Sequence, residues 1–383
     1  MKKRALSLFL ALLMIVTMVP VEAFAIEGDF VAQIGESKFV SLAEAIAAVP
    51  TDGTETTITM LTDETIPGNA GVTIDSGKNI VLDLNGCTIK NLVNESKASQ
   101  VINNKGTLTI KDSTDTNKDG TGNGLLTNDV QEGTVAGDWF ATPQANYVTN
   151  VIGNNGTLIV ESGAIVNTAG GSICYAVDNN SAGGYEISCT INGGLLKNVN
   201  YTPVRVAPTN TRSVTFVMND GIIEGAYGIA LNCNSQTAPN VSFTISGGTV
   251  KAKDYAFYTS ASNNVSDTTK AEIAITGGTF GDGEVTTGEE LISVSPFTEF
   301  ISGGTYTEDP SDYLAPDYEI VANENGTFGV EAIKVAAIGD TKYVSLQEAL
   351  DAAAAATDAT KTVVLISDVT TEEALTVNMT NRN

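Results

Sequence analysis

Residues 115–120 read DTNKDG. Asp115, Asn117 and Asp119 stand at alternate positions ahead of Gly120, which matches the first half of a D-x-N-x-D-G calcium loop. Hard cations want several oxygens at once, and alternate residues on a tight glycine turn bring theirs together. Thr121 adds a backbone carbonyl. The twelfth position is Leu126, where such a loop carries a bidentate Glu; Asn123, Asp129 and Glu132 are the available substitutes. The alternative reading is a polar turn between structural elements. Calcium is the one cofactor the residues suggest. Other chemistry is poorly supplied. The chain has no histidine, which removes His-activated nucleophiles and His metal ligands. No pair of carboxylates is placed to converge on one glycosidic bond. Beyond residue 25 the arginines are Arg205, Arg212 and Arg382. Arg205 is expected as a solvent-exposed strand residue. No residue is assigned a catalytic role.

The elements that must position these residues are repeats. One phrase returns six times: an apolar-alternating run, a Gly pair or near variant, then an apolar pair. Its second glycine, or equivalent, is Gly163, Gly194, Gly221, Gly248, Gly278 and Gly304, in steps of 31, 27, 27, 30 and 26 residues. Three columns follow from that alignment. They are Val160, Ile191, Met218, Ile245, Ile275 and Ile301; Leu158, Cys189, Phe216, Phe243, Ile273 and Glu299; and Ile165, Leu196, Ile223, Val250, Phe280 and Tyr306. Strand side chains alternate faces, so the columns share an inward face. Repeats of this length cannot bury such a face alone and must stack. Glycine suits the corner because the bend needs positive φ. Third strands are expected at Pro203–Val206, Tyr227–Leu231 and Tyr255–Tyr258. The predicted fold is all-β, a right-handed parallel β-helix. The cysteines, irregularly spaced at 87, 174, 189 and 233, are expected as buried thiols; Cys189 takes a core slot.

NKGTLTI from Asn104 and NNGTLIV from Asn154 are equivalent yet 50 residues apart. A long insertion, about 113–150, is therefore expected to leave the solenoid. It holds Trp139, the chain's sole tryptophan, beside Phe140 and near Tyr147. Flat rings stack on sugar faces, and long loops on rigid scaffolds often carry function. The alternative is that Trp139 and Phe140 pin the loop down. Tyr201, Tyr227 and Tyr255 fall along the third strands. These six aromatic residues are the carbohydrate-binding candidates.

Residues 31–46 and 335–350 are identical at ten of sixteen positions. In each, Ser-x-x-Glu (Ser41 with Glu44, Ser345 with Glu348) opens a short helix as a capping box. The first helix is expected to cap the solenoid, and a hairpin around Asn325-Gly326 to close it. The expected organisation is a signal peptide over 1–25, a β-helix module over 26–333, and a truncated start of a second module over 334–383. The signal reading rests on Lys2, Lys3 and Arg4, the uncharged run Ala5 to Val19, and Ala23-Phe24-Ala25 as cleavage site. It implies a secreted or cell-surface protein. Loss of that segment takes the net charge from −25 to −27, which argues against nucleic acid and anionic lipid as partners.

The basic-apolar start, IGESKFVSLAEAI, LDLNGCTI, NKGTLTI and the ISGGTY-to-NGTFGV ending together resemble one family. It comprises large modular cell-surface proteins of anaerobic Gram-positive bacteria, built on pectate-lyase-like β-helices. The likeness covers nearly the whole chain. It implies an adhesin or glycan-associated surface protein, with cell-wall or host glycans or other surface proteins as partners, and anchoring domains downstream; the chain ends before any such anchor. Two alternatives stay open: a polysaccharide lyase or glycosidase on the same fold, and a structural spacer. Lyases of this fold use calcium and a basic residue, often Arg. Its polygalacturonase-like glycosidases use grouped carboxylates with a His, and that grouping is missing here.

Overall fold

The computed structural model describes residues 29–67, 71–93, 99–130, 149–168, 174–199, 201–209, 211–232, 239–259, 265, 267–281, 291–356, 361–369 and 374–376. The proposed signal segment lies outside them. The chain is a parallel β-solenoid of about seven turns. Strands of one row pair in parallel with their counterparts one coil on. The first row runs Asn79–Asp83, Thr107–Lys111, Thr157–Val160, then the leading halves of Ile187–Asn198 and Val214–Gly225, then Val241–Ile245 and Ala271–Ile275. The second row follows the glycine corner, from Thr88–Val93 and Leu125–Val130 to Thr279–Phe280 and Thr305–Tyr306. The third is an eight-stranded sheet from Val72–Ile74 to Ile292–Ser293. No helix of the described residues is long and apolar enough to cross a membrane.

The alternating columns explain why these residues form stacked strands. Val160, Ile191, Met218, Ile245, Ile275 and Ile301 are all fully buried. Ile165, Leu196, Ile223, Val250, Phe280 and Tyr306 are register partners and equally buried. Large rings fill the later coils: Phe216 stacks on Phe243 at 5.0 Å, and Phe280 on Tyr306 at 4.8 Å. One slot departs from the expected columns. Glu299 is exposed with φ of 59°, and Phe300 supplies the buried side chain there. A carboxylate has no partner inside the stack, so the backbone turns it out. All six corner glycines have positive φ, from 80° to 102°. At Gly194 a Cβ would also lie 2.6 Å from the Gly163 carbonyl oxygen of the preceding coil. Cys87, Cys174 and Cys189 are buried thiols, and burial pushes Cys189 up to about 12; Cys233 lies outside the described residues.

Buried asparagines join the coils where apolar columns give way. Asn104 Nδ2 donates to Asn154 Oδ1 and Asn154 Nδ2 to Asn179 Oδ1, both at 2.9 Å. Asn179 continues to the Arg205 carbonyl at 3.2 Å. In this ladder each buried amide meets the next, which offsets its burial. A second stack, Asn91, Asn128, Asn167 and Asn198, keeps register at the exit of the second row.

The insertion is shorter than the spacing suggests. Leu125–Val130 is a second-row strand paired to both neighbours, and Thr149–Asn154 is a third-row strand. Among the described residues of this span, 112–124 leave the coil and fold back along the corners; residues 131–148 lie outside the described residues. A strand of ordinary length was hidden because polar DTNKDG and TGNG precede it.

Helix α1 (Leu42–Ala48) covers one end. Ser41 Oγ accepts from Glu44 N–H at 3.1 Å, as the capping box requires. The buried Lys78 ammonium donates to the Ile46 and Val49 carbonyls at 2.8 and 2.6 Å, meeting the negative end of the helix. At the other end Phe328–Ala332 pairs antiparallel with Thr305–Tyr306 and with Tyr318–Ala322. The repeat of the first unit forms the same elements: strands Ala336–Ile338 and Thr341–Tyr343, helix α2 (Leu346–Ala355), and Val364–Leu365.

The column register makes a direct prediction. Ile245→Asp places an unpaired charge in the fully buried column and should cost about 4 kcal/mol or more. Thr244→Asp, on the outer face, should cost about 1 kcal/mol or less. Urea denaturation of the two variants checks the difference.

Candidate binding face

The outer face of the eight-stranded sheet carries one register row: Asp178, Arg205, Ala230, Tyr258 and Ser293. Each belongs to the next coil, so the row rises by one strand spacing, ~4.8 Å, per residue. Beside it run the turns that lead into these strands. They hold Tyr175, Tyr201, Tyr227 and Tyr255.

The turns stack by backbone bonds. Asn198, from the second asparagine stack, accepts from Tyr201 N–H at 2.9 Å. The Ala226 N–H donates to the Tyr201 carbonyl at 3.1 Å, and Lys253 and Asp254 donate to the Ala226 carbonyl at 3.0 Å. Gly225 is needed there, since a Cβ would sit 2.4 Å from the Tyr201 carbonyl oxygen and 2.6 Å from that of Tyr227. The rings are thereby brought into a ladder. Tyr201 meets Tyr227 edge-on at 4.8 Å, Tyr227 stacks with Tyr255 at 6.0 Å, and Tyr258 lies 5.3 Å from Tyr227. Tyr258 also bonds Thr202 through their hydroxyls at 2.7 Å. Burial pushes its phenol well above the ordinary value. All four rings are half-buried, each keeping part of its surface in water.

Arg205 is not the exposed residue expected from its strand position. Its Nε and Nη2 grip the two oxygens of Asp178, both at 2.7 Å, and its guanidinium lies 4.8 Å from the Tyr175 ring centre. Asn150 Nδ2 adds a bond to Asp178 at 2.9 Å. Both charges are largely buried. Burial disfavours the charged guanidinium, but the Asp178 carboxylate overrides it and holds the Arg205 pKa above its usual value. Tyr175 is pushed up to about 12, by burial first.

Of the expected carbohydrate-binding residues, the structure brings together Tyr201, Tyr227 and Tyr255. They sit in the turns before the third strands, not within them. Trp139, Phe140 and Tyr147 lie outside the described residues. Tyr258, Tyr175 and Asp178 were missed. A signal existed for Asp178, which precedes Arg205 by 27 residues, one coil length.

The residues of the expected calcium loop sit at a different corner. Asp115 is buried, with Oδ2 accepting from Gly120 N–H and Gly163 N–H, each at 2.9 Å. Asp119 Oδ1 accepts from the Thr121 N–H and hydroxyl at 3.0 and 2.6 Å. Asn117 and Thr121 are exposed. Leu126 is fully buried in the core, which bars the twelfth position from a ligand role.

Compared with family models, with curated proteins and with solved structures, the chain matches none. The reading of its function rests on geometry.

The Asp178–Arg205 pair has a measurable consequence. Asp178→Ala strands a buried guanidinium and should cost about 3 kcal/mol or more. The double variant Asp178→Leu with Arg205→Met should recover over half of that loss. Equilibrium denaturation of the single and double variants tests the pair.

Proposed function

We propose that this is an exported surface protein that binds glycan on the tyrosine ladder of its third sheet, without turning the glycan over. The carrying observation is the row of half-buried rings, Tyr201, Tyr227, Tyr255 and Tyr258, repeated coil by coil beside a paired Asp and Arg. Aromatic faces supply apolar contact for the C–H surfaces of sugar rings, and their hydroxyls supply hydrogen bonds. A ladder that advances with the coils favours an extended chain of sugar units over a compact ligand. The Lys-Lys-Arg start with its apolar run supports export, and the family resemblance supports display on a bacterial surface facing cell-wall or host glycans.

The engagement of Arg205 supports binding without catalysis. A lyase needs a base able to take the proton next to the sugar carboxylate. Asp178 holds Arg205 protonated and occupies both arms of its fork. A shallow ladder implies weak intrinsic affinity, with a Kd of roughly 0.1–1 mM, strengthened where several copies act together.

A glycan array followed by calorimetry tests the proposal. Tyr227→Ala should weaken binding about tenfold, or ~1.4 kcal/mol, while Thr244→Ala on another face leaves it unchanged. Incubation with pectins and other acidic polysaccharides should release neither unsaturated nor reducing sugars. Turnover that disappears in Arg205→Lys would replace this reading with an enzyme. Absence of any glycan binding would leave the spacer role.

A further inference from the structure

The segment 112–124 is a folded strap laid across the glycine corners. Asp112 fastens its base: Oδ1 accepts from Gly86 and Thr114 N–H at 2.9 and 3.0 Å, and Oδ2 from Gly124 N–H at 2.8 Å. The strap then reaches two coils onward. Asp115 takes the Gly163 N–H, and the Lys118 carbonyl takes the Gly194 N–H. Gly120 presses so closely on the second of these coils that a Cβ would lie 2.3 Å from Leu195 Cβ.

Within this strap one group lacks a partner. Asp115 is 5 % exposed, and its Oδ1 is enclosed yet accepts no hydrogen bond from the protein. Oδ2 is already bonded to two N–H groups, so the orphan is the other oxygen. Asp119 stands four residues further along the same loop. Asp119 Oδ1 holds Thr121, which leaves Oδ2 on the same loop. Lys118, the strap's own cation, points to Glu161 at 3.4 Å and does not neutralise the two carboxylates. The backbone is left-handed at Lys118 (φ 58°) and Gly120 (φ 76°), which makes the loop a tight one. A desolvated carboxylate oxygen with no donor is unfavourable unless a cation reaches it.

We propose that Asp115 Oδ1, the Asn117 amide oxygen, the Asp119 carboxylate and the Thr121 carbonyl bind one calcium ion, with water completing the shell, and that the ion locks the strap onto the Gly163 and Gly194 corners. Two carboxylates, an amide and a carbonyl are hard oxygen donors on an irregular loop, which suits calcium's long, flexible coordination better than the strict octahedron of magnesium. The site is independent of the tyrosine face. Its effect is on the rigidity of the corner.

The test uses the full chain, freed of metal by chelator and titrated with calcium chloride in a calorimeter, with thermal melting in parallel. One saturable site is expected, with a Kd of about 0.1–1 mM. A tenfold excess over Kd should raise the melting temperature by about 2–5 °C. Asp119→Ala, at the surface, should melt like the metal-free parent and bind calcium at least tenfold more weakly. Asn117→Ala, also exposed, should weaken binding without unfolding, which keeps the test sound if Asp119→Ala is unstable. Magnesium should bind more weakly than calcium. Heat spread over many weak acidic sites, no saturable uptake at millimolar calcium, or unchanged binding in both variants would overturn the proposal.

Discussion

Each coil of this chain presents an inward row of Ile, Val, Leu and Phe that it cannot cover by itself. Only the coils on either side can bury it, and they do so at one fixed strand spacing. That constraint sets everything else. Because the rows must stay in register, the bend between first and second strands must recur with the same shape. The backbone there takes positive φ at Gly163, Gly194, Gly221, Gly248, Gly278 and Gly304. Because corners approach each other's carbonyl oxygens, no side chain fits at Gly194 or Gly221. Where the chain leaves an apolar column, its polar groups still face the stack. Asn104, Asn154 and Asn179 answer this by bonding coil to coil. The tyrosine turns inherit their spacing from the same register, since Asn198 and Gly225 hold them to the stack.

The same constraint makes the ends informative. In the first unit Ile58 and Met60 are fully buried, with a parallel strand paired beside them and α1 against the coil. In the second unit the matching strand leaves Val364, Leu365 and Ile366 about half exposed. The two units carry nearly the same helix-opening sequence and form the same capped helix, with Ser345 Oγ accepting from Glu348 N–H at 3.1 Å. The helix and its cap thus recur with the local sequence, while the burial of the strand differs between the two units. This is the separation between local and nearest-neighbour terms expected of a solenoid.

That separation also explains what could be read in the sequence. The rows Val160 to Ile301 and Ile165 to Tyr306 were legible because alternation and the glycine mark are local and recur at a nearly constant step. The second-row strand at Leu125–Val130 was not, because the polar strap before it masked the step. Glu299 was placed in a core column by counting, and the backbone turned it outward because a charge has no partner there. The asparagine ladders were not read from the sequence: NKGTLTI and NNGTLIV marked Asn104 and Asn154 as equivalent, but the bonds depend on side chains a coil apart. Arg205 was mistaken for a surface residue because its partner, Asp178, is distant in the chain and near only once a coil is wound. Tyr201, Tyr227 and Tyr255 were found from spacing, while Tyr258 was hidden because its ring lies across Ala230 to reach Thr202 from two coils away.

The electrostatics of the tyrosine face follow from the Asp178–Arg205 pair. Both charges belong to one register row, and their two parallel bonds leave little net field at the surface. The rest of the chain is strongly acidic, with a net charge of −25. A polyanion approaching this face thus meets repulsion from the body and no uncommitted guanidinium on the ladder. A neutral sugar chain meets neither obstacle, and its apolar ring faces match the half-buried tyrosines. If this face binds glycan as proposed, the pair that holds the sheet's outer row together also favours uncharged polymers over acidic ones.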